Sequence, residues 1–352
     1  MPRPAPLPDT PAPPDEEDDL AGMPPAGAAA VAPLLVVPGA AHGLRLDRFL
    51  ADQLPGFSRS RLQQWIVQGA VLLNGGVPQP RTAVSEGDRI ALTPPAAPQD
   101  SLLAAEAMAL DVVHADDDIF VLDKPPGLVV HPAPGHWTGT LANGLLHLDP
   151  ALAGVPRAGI VHRLDADTSG LMVVARTLHA QTQLVRQLQA REVLREYWAI
   201  VHGHAQASVT VDAPLARDPR NPLRFAVRRS PTAREARTHV RLVEQARHEP
   251  PPLSWVACRL ETGRTHQIRV HLESIGHPLV GDPVYRRGRP ALAADLPAAR
   301  FARQALHAVR LQLVHPRSGE TLSWFRAPPA DMRTLMKACG FGRSDRPREV
   351  FA

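Results

Sequence analysis

Gly159-Ile160-Val161-His162-Arg163-Leu164-Asp165-Ala166-Asp167-Thr168-Ser169-Gly170-Leu171 is a polar, turn-like stretch between two apolar runs. Asp165 stands close to Arg163, and Thr168 and Ser169 can satisfy backbone groups locally. A carboxylate in such a loop can be a nucleophile, a base or an acid, or can simply belong to the turn. Outward from it the chain reads as short strand-like segments: Leu110–His114, Ile119–Leu122, Leu171–Ala175, Tyr197–His202, Thr238–Leu242, Trp255–Leu260, Gln267–Val270 and Ala308–Val314. One stretch there reads clearly as a helix, Leu178–Ala190, with leucines on one side. Strands and helices do not alternate regularly over 109–335, so a strand-rich α+β domain is expected rather than a βαβ array.

The rest of the chain is organised around that domain. Residues 1–40 hold 11 prolines, many alanines and an acid run, a composition that predicts a disordered tail. Residues 43–93 read as a compact module. Leu44, Leu46, Phe49, Leu50 and Leu54 form an early apolar pattern ending near Pro55-Gly56. A second helix through Leu62, Trp65, Ile66 and Val67 is capped by Ser58 or Ser60 and stopped by Gly69. Val71-Leu72-Leu73 and Arg89–Leu92 read as strands, flanked by the turns Asn74-Gly75-Gly76 and Glu86-Gly87-Asp88. Pro94, Pro95 and Pro98 mark a linker over 94–108, and 336–352 reads as a polar tail.

Composition narrows the class. A length of 352 residues suits roughly two domains. Two cysteines, Cys258 and Cys339, cannot build a disulfide framework or a four-cysteine metal site. No apolar run approaches the ~20 residues of a bilayer span, and no signal peptide is evident. A soluble, reduced, cytoplasmic protein is expected. The formal charge of +4 hides an asymmetry: residues 1–20 carry −5, so the remainder is +9, almost all arginine, with Lys124 and Lys337 the only lysines. A basic body favours a nucleic-acid partner, though weakly on charge alone.

Two sets of motifs go further. Leu44-Arg45-Leu46-Asp47-Arg48-Phe49-Leu50, Ser58-Arg59-Ser60-Arg61 and Val71–Gly75 resemble an S4 RNA-binding domain, whose basic helix face meets RNA. Arg45, Arg48, Arg59 and Arg61 match that face. The opening segment resembles the signature of the RluA/RluD family of pseudouridine synthases. Ile119–Gly127 with Val130-His131-Pro132, Arg195-Glu196-Tyr197, Leu260–His271, His277–Tyr285 and Gln304–Ala308 match its other motifs in order. Two positions depart from the family pattern: Asp123 where Asn is common, and Ala166 where Lys often follows the acting aspartate.

The resemblance implies a mixed, mainly antiparallel sheet behind the S4 module, and isomerisation of uridine to pseudouridine in RNA. It implies large-subunit (23S) ribosomal RNA as partner, at the helix 69 stem-loop, with no cofactor, no metal, no membrane and a monomeric enzyme. Asp165 takes the role of the carboxylate at C1′, by addition there or through a glycal-like route. Arg264 is expected to pair with Asp165 and keep it ionised. Tyr197 is carried over as the ring on the uracil and a candidate to remove the C5 proton. Leu306 and Ile268 are expected to wall the pocket. Arg163 fills the space left by a flipped base, His162 contacts RNA or holds the loop, and Lys124 supports the loop or a phosphate. The run Arg217, Arg220, Arg224, Arg228, Arg229, Arg234 and Arg237 reads as a phosphate-contacting insert, with Arg224, Arg228 and Arg229 the leading contacts. Readings that keep the chemistry but change the RNA, or keep the RNA binding without catalysis, stay open at this point.

Overall fold

Apolar residues at helical spacing build the small unit. Leu46, Phe49 and Leu50 on α1 (Leu46–Gln53) meet Leu62, Trp65 and Ile66 on α2 (Arg59–Val67) in one buried cluster. The computed structural model describes residues 34–54, 59–93, 103–132, 138–246, 252–286, 297–342 and 350–351. These group into two compact units that divide at Ala104 and Ala105. In the first, β1 (Leu34–Val36), β2 (Val71–Leu73) and β3 (Arg89–Leu92) form an antiparallel sheet in the order β1-β3-β2. The two expected turns are tied together: Asn74 Nδ2 and the Ser85 backbone N–H both donate to the Asp88 carboxylate, at 2.8 and 2.7 Å.

One difference from the sequence reading lies at the edge of this unit. Leu34-Leu35-Val36 pairs with Arg89–Ala91, and Val37 and Ala41 are buried, so the ordered module begins before residue 40. An apolar tripeptide beside an open strand edge gains ladder hydrogen bonds and burial together. The expected tail over 1–33 and the prolines of the linker lie outside the described residues.

In the second unit the strands are β4 (Asp111–Ala115), β5 (Ile119–Lys124), β6 (Ser169–Ala175), β7 (Leu194–His202), β8 (Ser208–Asp212), β9 (Leu215–Asp218), β10 (Asn221–Val227), β11 (Arg237–Gln245), β12 (Leu253–Leu260), β13 (Leu306–Val314) and β14 (Thr321–Phe325). Among the described residues, nine of them form one sheet in the order β4-β5-β6-β13-β7-β12-β11-β8, with β14 on β13. All its ladders are antiparallel except β6 with β13. β9 and β10 form a separate hairpin. The helices are α3 (Leu141–Leu148), α4 (Leu178–Gln189), α5 (Gln267–Ser274) and α6 (Ala330–Ala338). Ala180 and Leu184 of α4 pack on Ile119, Val121, Leu171 and Val173. Met332, Leu335 and Met336 of α6 join Trp198, Ile200 and Trp255. Central strands buried on both faces lose the polar alternation, which explains the continuous apolar runs in β6 and β7.

Two further expectations are corrected. Gln267–Val270 is the start of a helix, not a strand. Its Ile268, Val270 and Leu272 alternate with Gln267, Arg269 and His271, yet all six residues are buried, so the period of two does not report a half-buried strand. The Gln267 side chain accepts from Thr262 Oγ1 and the Arg264 N–H, which starts the helix, and Gly276, at φ 83°, ends it. At the C-terminus Phe341 is buried, and Arg241 donates to the Val350 carbonyl and lies over the Phe351 ring, so part of the expected tail is docked.

Candidate active site

The site grows from the single parallel ladder in the described sheet. Parallel strands begin at the same end, so the segments entering β6 and β13 lie side by side. His307 faces Ser169 and Ala308 faces Gly170. Gly170 sits at φ 116°, and a Cβ there would meet the Ala308 carbonyl oxygen at 2.3 Å, so only glycine permits the approach. Arg303 Nη1 donates to the Asp167 carbonyl at 3.0 Å and Gln304 Nε2 to Thr168 Oγ1 at 3.2 Å, which fixes the Asp165 loop against the entry to β13. On the other side of β13, antiparallel β7 sets Tyr197 opposite Ala308.

Lys124 at the end of β5 anchors the same loop from below. Its fully buried ammonium donates to the carbonyls of Pro125, Leu128 and Ala166 at 2.9, 2.9 and 2.7 Å. Burial pulls it down to about 7, against the attraction of Asp165 and Asp167. Lys124 therefore supports the loop rather than reaching out to a phosphate. Ala166 takes part through its carbonyl, which also accepts from the Gly127 N–H, so its departure in side chain leaves the anchor intact. Asp123 is pushed up to about 6 by burial and by Asp111, with Arg326 acting against them.

The partner of Asp165 is Arg269, not Arg264. Arg269 Nη1 donates to Asp165 Oδ2 at 2.9 Å, while its Nε and Nη2 grip Asp282 at 2.8 and 3.0 Å. Arg264 directs its Nε to the Glu235 carbonyl. The physical reason is the helix: α5 turns Arg269, two residues past its start, toward the loop, whereas Arg264 precedes that turn. Burial would raise the Asp165 carboxyl, but His266, protonated in the acid range where this carboxyl titrates, and the charge and hydrogen bond of Arg269 outweigh it and bring it down to about 2. His266 is itself driven down to about 4 by burial, so at neutral pH its ring is uncharged and the standing positive charge is Arg269. His266 Nε2 lies 4.0 Å from Asp165 Oδ1. Asp165 and its surroundings therefore form an ionised carboxylate in a mostly buried setting, with one oxygen clamped and the other open.

An open cleft surrounds it, lined among others by Arg163, Tyr197, Arg264, Ile268, Arg269 and Leu306. Asp165, Tyr197, Ile268, Leu306, Arg163 and Arg264 thus share one cleft. Arg163 Nε is buried with no hydrogen-bond partner among the described residues. His162 differs from expectation as an RNA contact: it is buried, and its Nε2 accepts from the Val173 N–H at 3.1 Å, so it holds the loop to β6. Burial and Arg195 bring it down to about 3. Arg224 is also committed inward, donating to Glu273 at 3.0 and 3.2 Å and to the Val284 carbonyl. Arg228 and Arg229 are exposed.

In the small unit Arg48 is exposed, while Arg45 is half engaged with the buried Asp47 at 2.8 Å. The side chains of Arg59 and Arg61 lie outside the described residues. Sequence reasoning missed Asp282, Tyr285 and His266 as parts of the site. All three stand inside the quoted motifs Leu260–His271 and His277–Tyr285, and Asp282 caps its turn by accepting from the Val284 and Tyr285 N–H groups.

Comparison with known proteins gives this geometry its class. The family of RNA pseudouridylate synthases matches residues 118–274, and the S4 domain matches residues 44–90. The chain is 48% identical over 304 residues to a Nitrosomonas europaea protein, spanning 86% of this chain and 87% of that one. The chain belongs to the RNA pseudouridylate synthase family and is an RNA-modifying isomerase. That relative is ribosomal large subunit pseudouridine synthase D. The proteins of the same name from Neisseria meningitidis serogroup B and Escherichia coli K12 are 49% and 46% identical, covering 86% and 84% of this chain and 80% and 90% of theirs. The solved structure of human RNA pseudouridylate synthase domain containing 1 aligns with a TM-score of 0.51 at 25% identity, over 66% of this chain and 90% of its own. No described helix is long and apolar enough to cross a membrane.

Proposed function

We propose that the chain converts specific uridines of large-subunit (23S) ribosomal RNA to pseudouridine, in the helix 69 stem-loop, with Asp165 as the acting carboxylate. The observation that carries the chemistry is the unequal holding of Asp165 at the cleft: Arg269 donates to Oδ2 at 2.9 Å, whereas His266 Nε2 lies 4.0 Å from Oδ1. The relatives named for ribosomal large subunit synthases support the substrate class.

The reaction breaks N1–C1′, turns the uracil and bonds C5 to C1′; C5 loses a proton and N1 gains one, so the product is an isomer. Asp165 Oδ1 either adds to C1′ or takes the C2′ proton; both routes need an ionised carboxylate where positive charge develops. Tyr197, on the central strand β7, carries the uracil and is placed to remove the C5 proton. Arg163, with its unpartnered Nε, fills the gap left by the flipped nucleotide. The exposed Arg228 and Arg229 meet phosphates. The test maps pseudouridine in 23S RNA of a deletion strain complemented with the wild type or Asp165→Ala. Wild type restoring the helix 69 sites while the variant does not is the expected result. Restoration by both overturns the role of Asp165, and restoration elsewhere overturns the site.

A further inference from the structure

We infer that Tyr285 fixes the tautomer of His266 so that its Nε2–H faces the open oxygen Oδ1 of Asp165, making the two residues a positioning relay for the carboxylate. The inference rests on the reading of Asp165 as the acting carboxylate and assigns two residues that reading does not use. The geometry is a chain of contacts running from β10 into the cleft. The Phe225 N–H donates to Tyr285 Oη at 2.9 Å, and Tyr285 Oη lies 2.9 Å from His266 Nδ1. His266 Nε2 then lies 4.0 Å from Asp165 Oδ1, while Arg269 occupies Oδ2 at 2.9 Å.

The direction of the protons follows from charge. Were Nδ1 protonated, the Nε2 lone pair of a neutral imidazole would face an anionic oxygen, which is repulsive. With the Tyr285 hydroxyl donating to Nδ1, Nε2 carries the hydrogen and points a positive end at Oδ1. The Tyr285 hydroxyl can do this because it already accepts the Phe225 N–H and has its own proton to give. It keeps that proton, since burial pushes it up to about 12. Each member is immobilised. Tyr285 is fully buried with the guanidinium groups of Arg224 and Arg269 4.9 Å from its ring centre. His266 caps α5 in the left-handed region at φ 56°, ψ 20°, a conformation that His and Asn accept more readily than most residues. Burial of the His266 ring keeps it neutral, so it adds direction to Oδ1 without a second full charge.

The relay is a positioning device. One donor at Oδ2 lets a carboxylate rotate about it; a second dipole on the Oδ1 side removes that freedom before the ribose enters. Since the contact is longer than a formed hydrogen bond, it leaves Oδ1 available to the substrate and tightens when charge returns to it.

Two measurements test this. Ring nitrogen–proton correlation spectra of the intact wild-type protein, with the His266 signals assigned by loss in His266→Asn, read the tautomer directly. The Nε2–H form is expected in the wild type, with Nδ1–H gaining population in Tyr285→Phe; Nδ1–H in the wild type overturns the inference. Single-turnover conversion of a uridine stem-loop RNA reads the consequence. His266→Asn keeps the backbone conformation and a polar group near Tyr285 but has nothing at the Nε2 position. Its rate constant should fall about tenfold with RNA affinity unchanged, and Tyr285→Phe should fall by roughly threefold or more. A rate within twofold of wild type in either variant overturns the relay. If either variant fails to fold, the wild-type tautomer and the other variant still decide. Asp165→Ala is run beside them: activity retained there overturns the underlying reading, whereas an inactive Asp165→Ala with unchanged His266→Asn overturns the relay alone.

Discussion

Replacing Arg269 should separate charge from geometry at the Asp165 carboxylate. Arg269 makes three charge-assisted bonds, 2.8 and 3.0 Å to Asp282 and 2.9 Å to Asp165, and its side chain is 6% exposed. Arg269→Met leaves two carboxyl groups without their cation, one of them, Asp282, at 0% exposure. Such a loss costs about 3–5 kcal/mol of folding stability. At Asp165 alone, the fall from 3.8 to about 2 corresponds to roughly 2 kcal/mol favouring the ionised form. The sign follows from linkage. A carboxyl depressed in the folded state stabilises fully above its ordinary value and loses that stabilisation as pH falls from about 4 toward 2. Without Arg269, burial acts with less opposition, so the acid limb of activity moves to higher pH. Arg269→Lys keeps one charge but cannot fork onto Asp282 while reaching Asp165, and should lose about 10²-fold in rate with milder destabilisation. The assay is single-turnover release of tritium from C5 of the target uridine across pH 4–8, with urea denaturation of each variant alongside. Arg264→Met, whose parent side chain directs its Nε to the Glu235 carbonyl, should leave the acid limb in place. A shifted acid limb in Arg264→Met, or wild-type rates throughout in Arg269→Lys, would refute the assignment of the partner.

Lys124→Met removes a buried ammonium and its three bonds to partly buried carbonyls, and should cost roughly 3 kcal/mol in stability together with a loss of rate from a loosened Asp165 loop. Denaturation showing less than ~1 kcal/mol would argue that the loop holds itself. RNA binding should weaken steeply with salt, and Arg228→Ala and Arg229→Ala should each lower the slope of log Kd against log salt by about 1. Arg224→Ala should instead lower stability with little change in slope, because its guanidinium is held by Glu273. Equal slopes in wild type and both exposed-arginine variants would remove the β9–β10 hairpin from the RNA surface.

What was legible in the sequence follows a physical divide. β5, β6, β7, β12 and β13 were legible because central strands leave runs of apolar residues, and α4 was located because its leucines sit on one face. Asp165 was singled out through the family resemblance of its motif; the polar loop between two apolar runs by itself left the role of the carboxylate open. The choice between Arg264 and Arg269 was not legible. Both lie in one short segment, and deciding between them required knowing that 267–274 is a helix. Alternation there resembles a strand because a helix buried on every side has no polar face to reveal its period. Arg224, among seven arginines in one run, likewise gave no sign that Glu273 would hold it inward.

The second carboxylate, Asp282, bears on why the site works as a unit. It accepts four N–H groups, two from Arg269 and one each from Val284 and Tyr285. On the proposed reading of Asp165, a guanidinium paired with it alone would largely neutralise the charge wanted at C1′. Shared with Asp282, Arg269 sits between two carboxylates, so its charge is divided between them while Asp165 stays ionised. Negative character held in a partly dry cleft stabilises a ribose carbon that becomes positive as the N1–C1′ bond breaks. The same turn that supplies Asp282 also supplies Tyr285, and a Cβ at Gly281 would strike the Arg303 carbonyl at 2.1 Å, so this turn is locked against the segment entering β13. Arg269, Asp282 and the Tyr285–His266 pair therefore act on Asp165 from one rigid body, and a change that loosens the turn at Gly281 should lower the rate without altering any residue that meets the RNA.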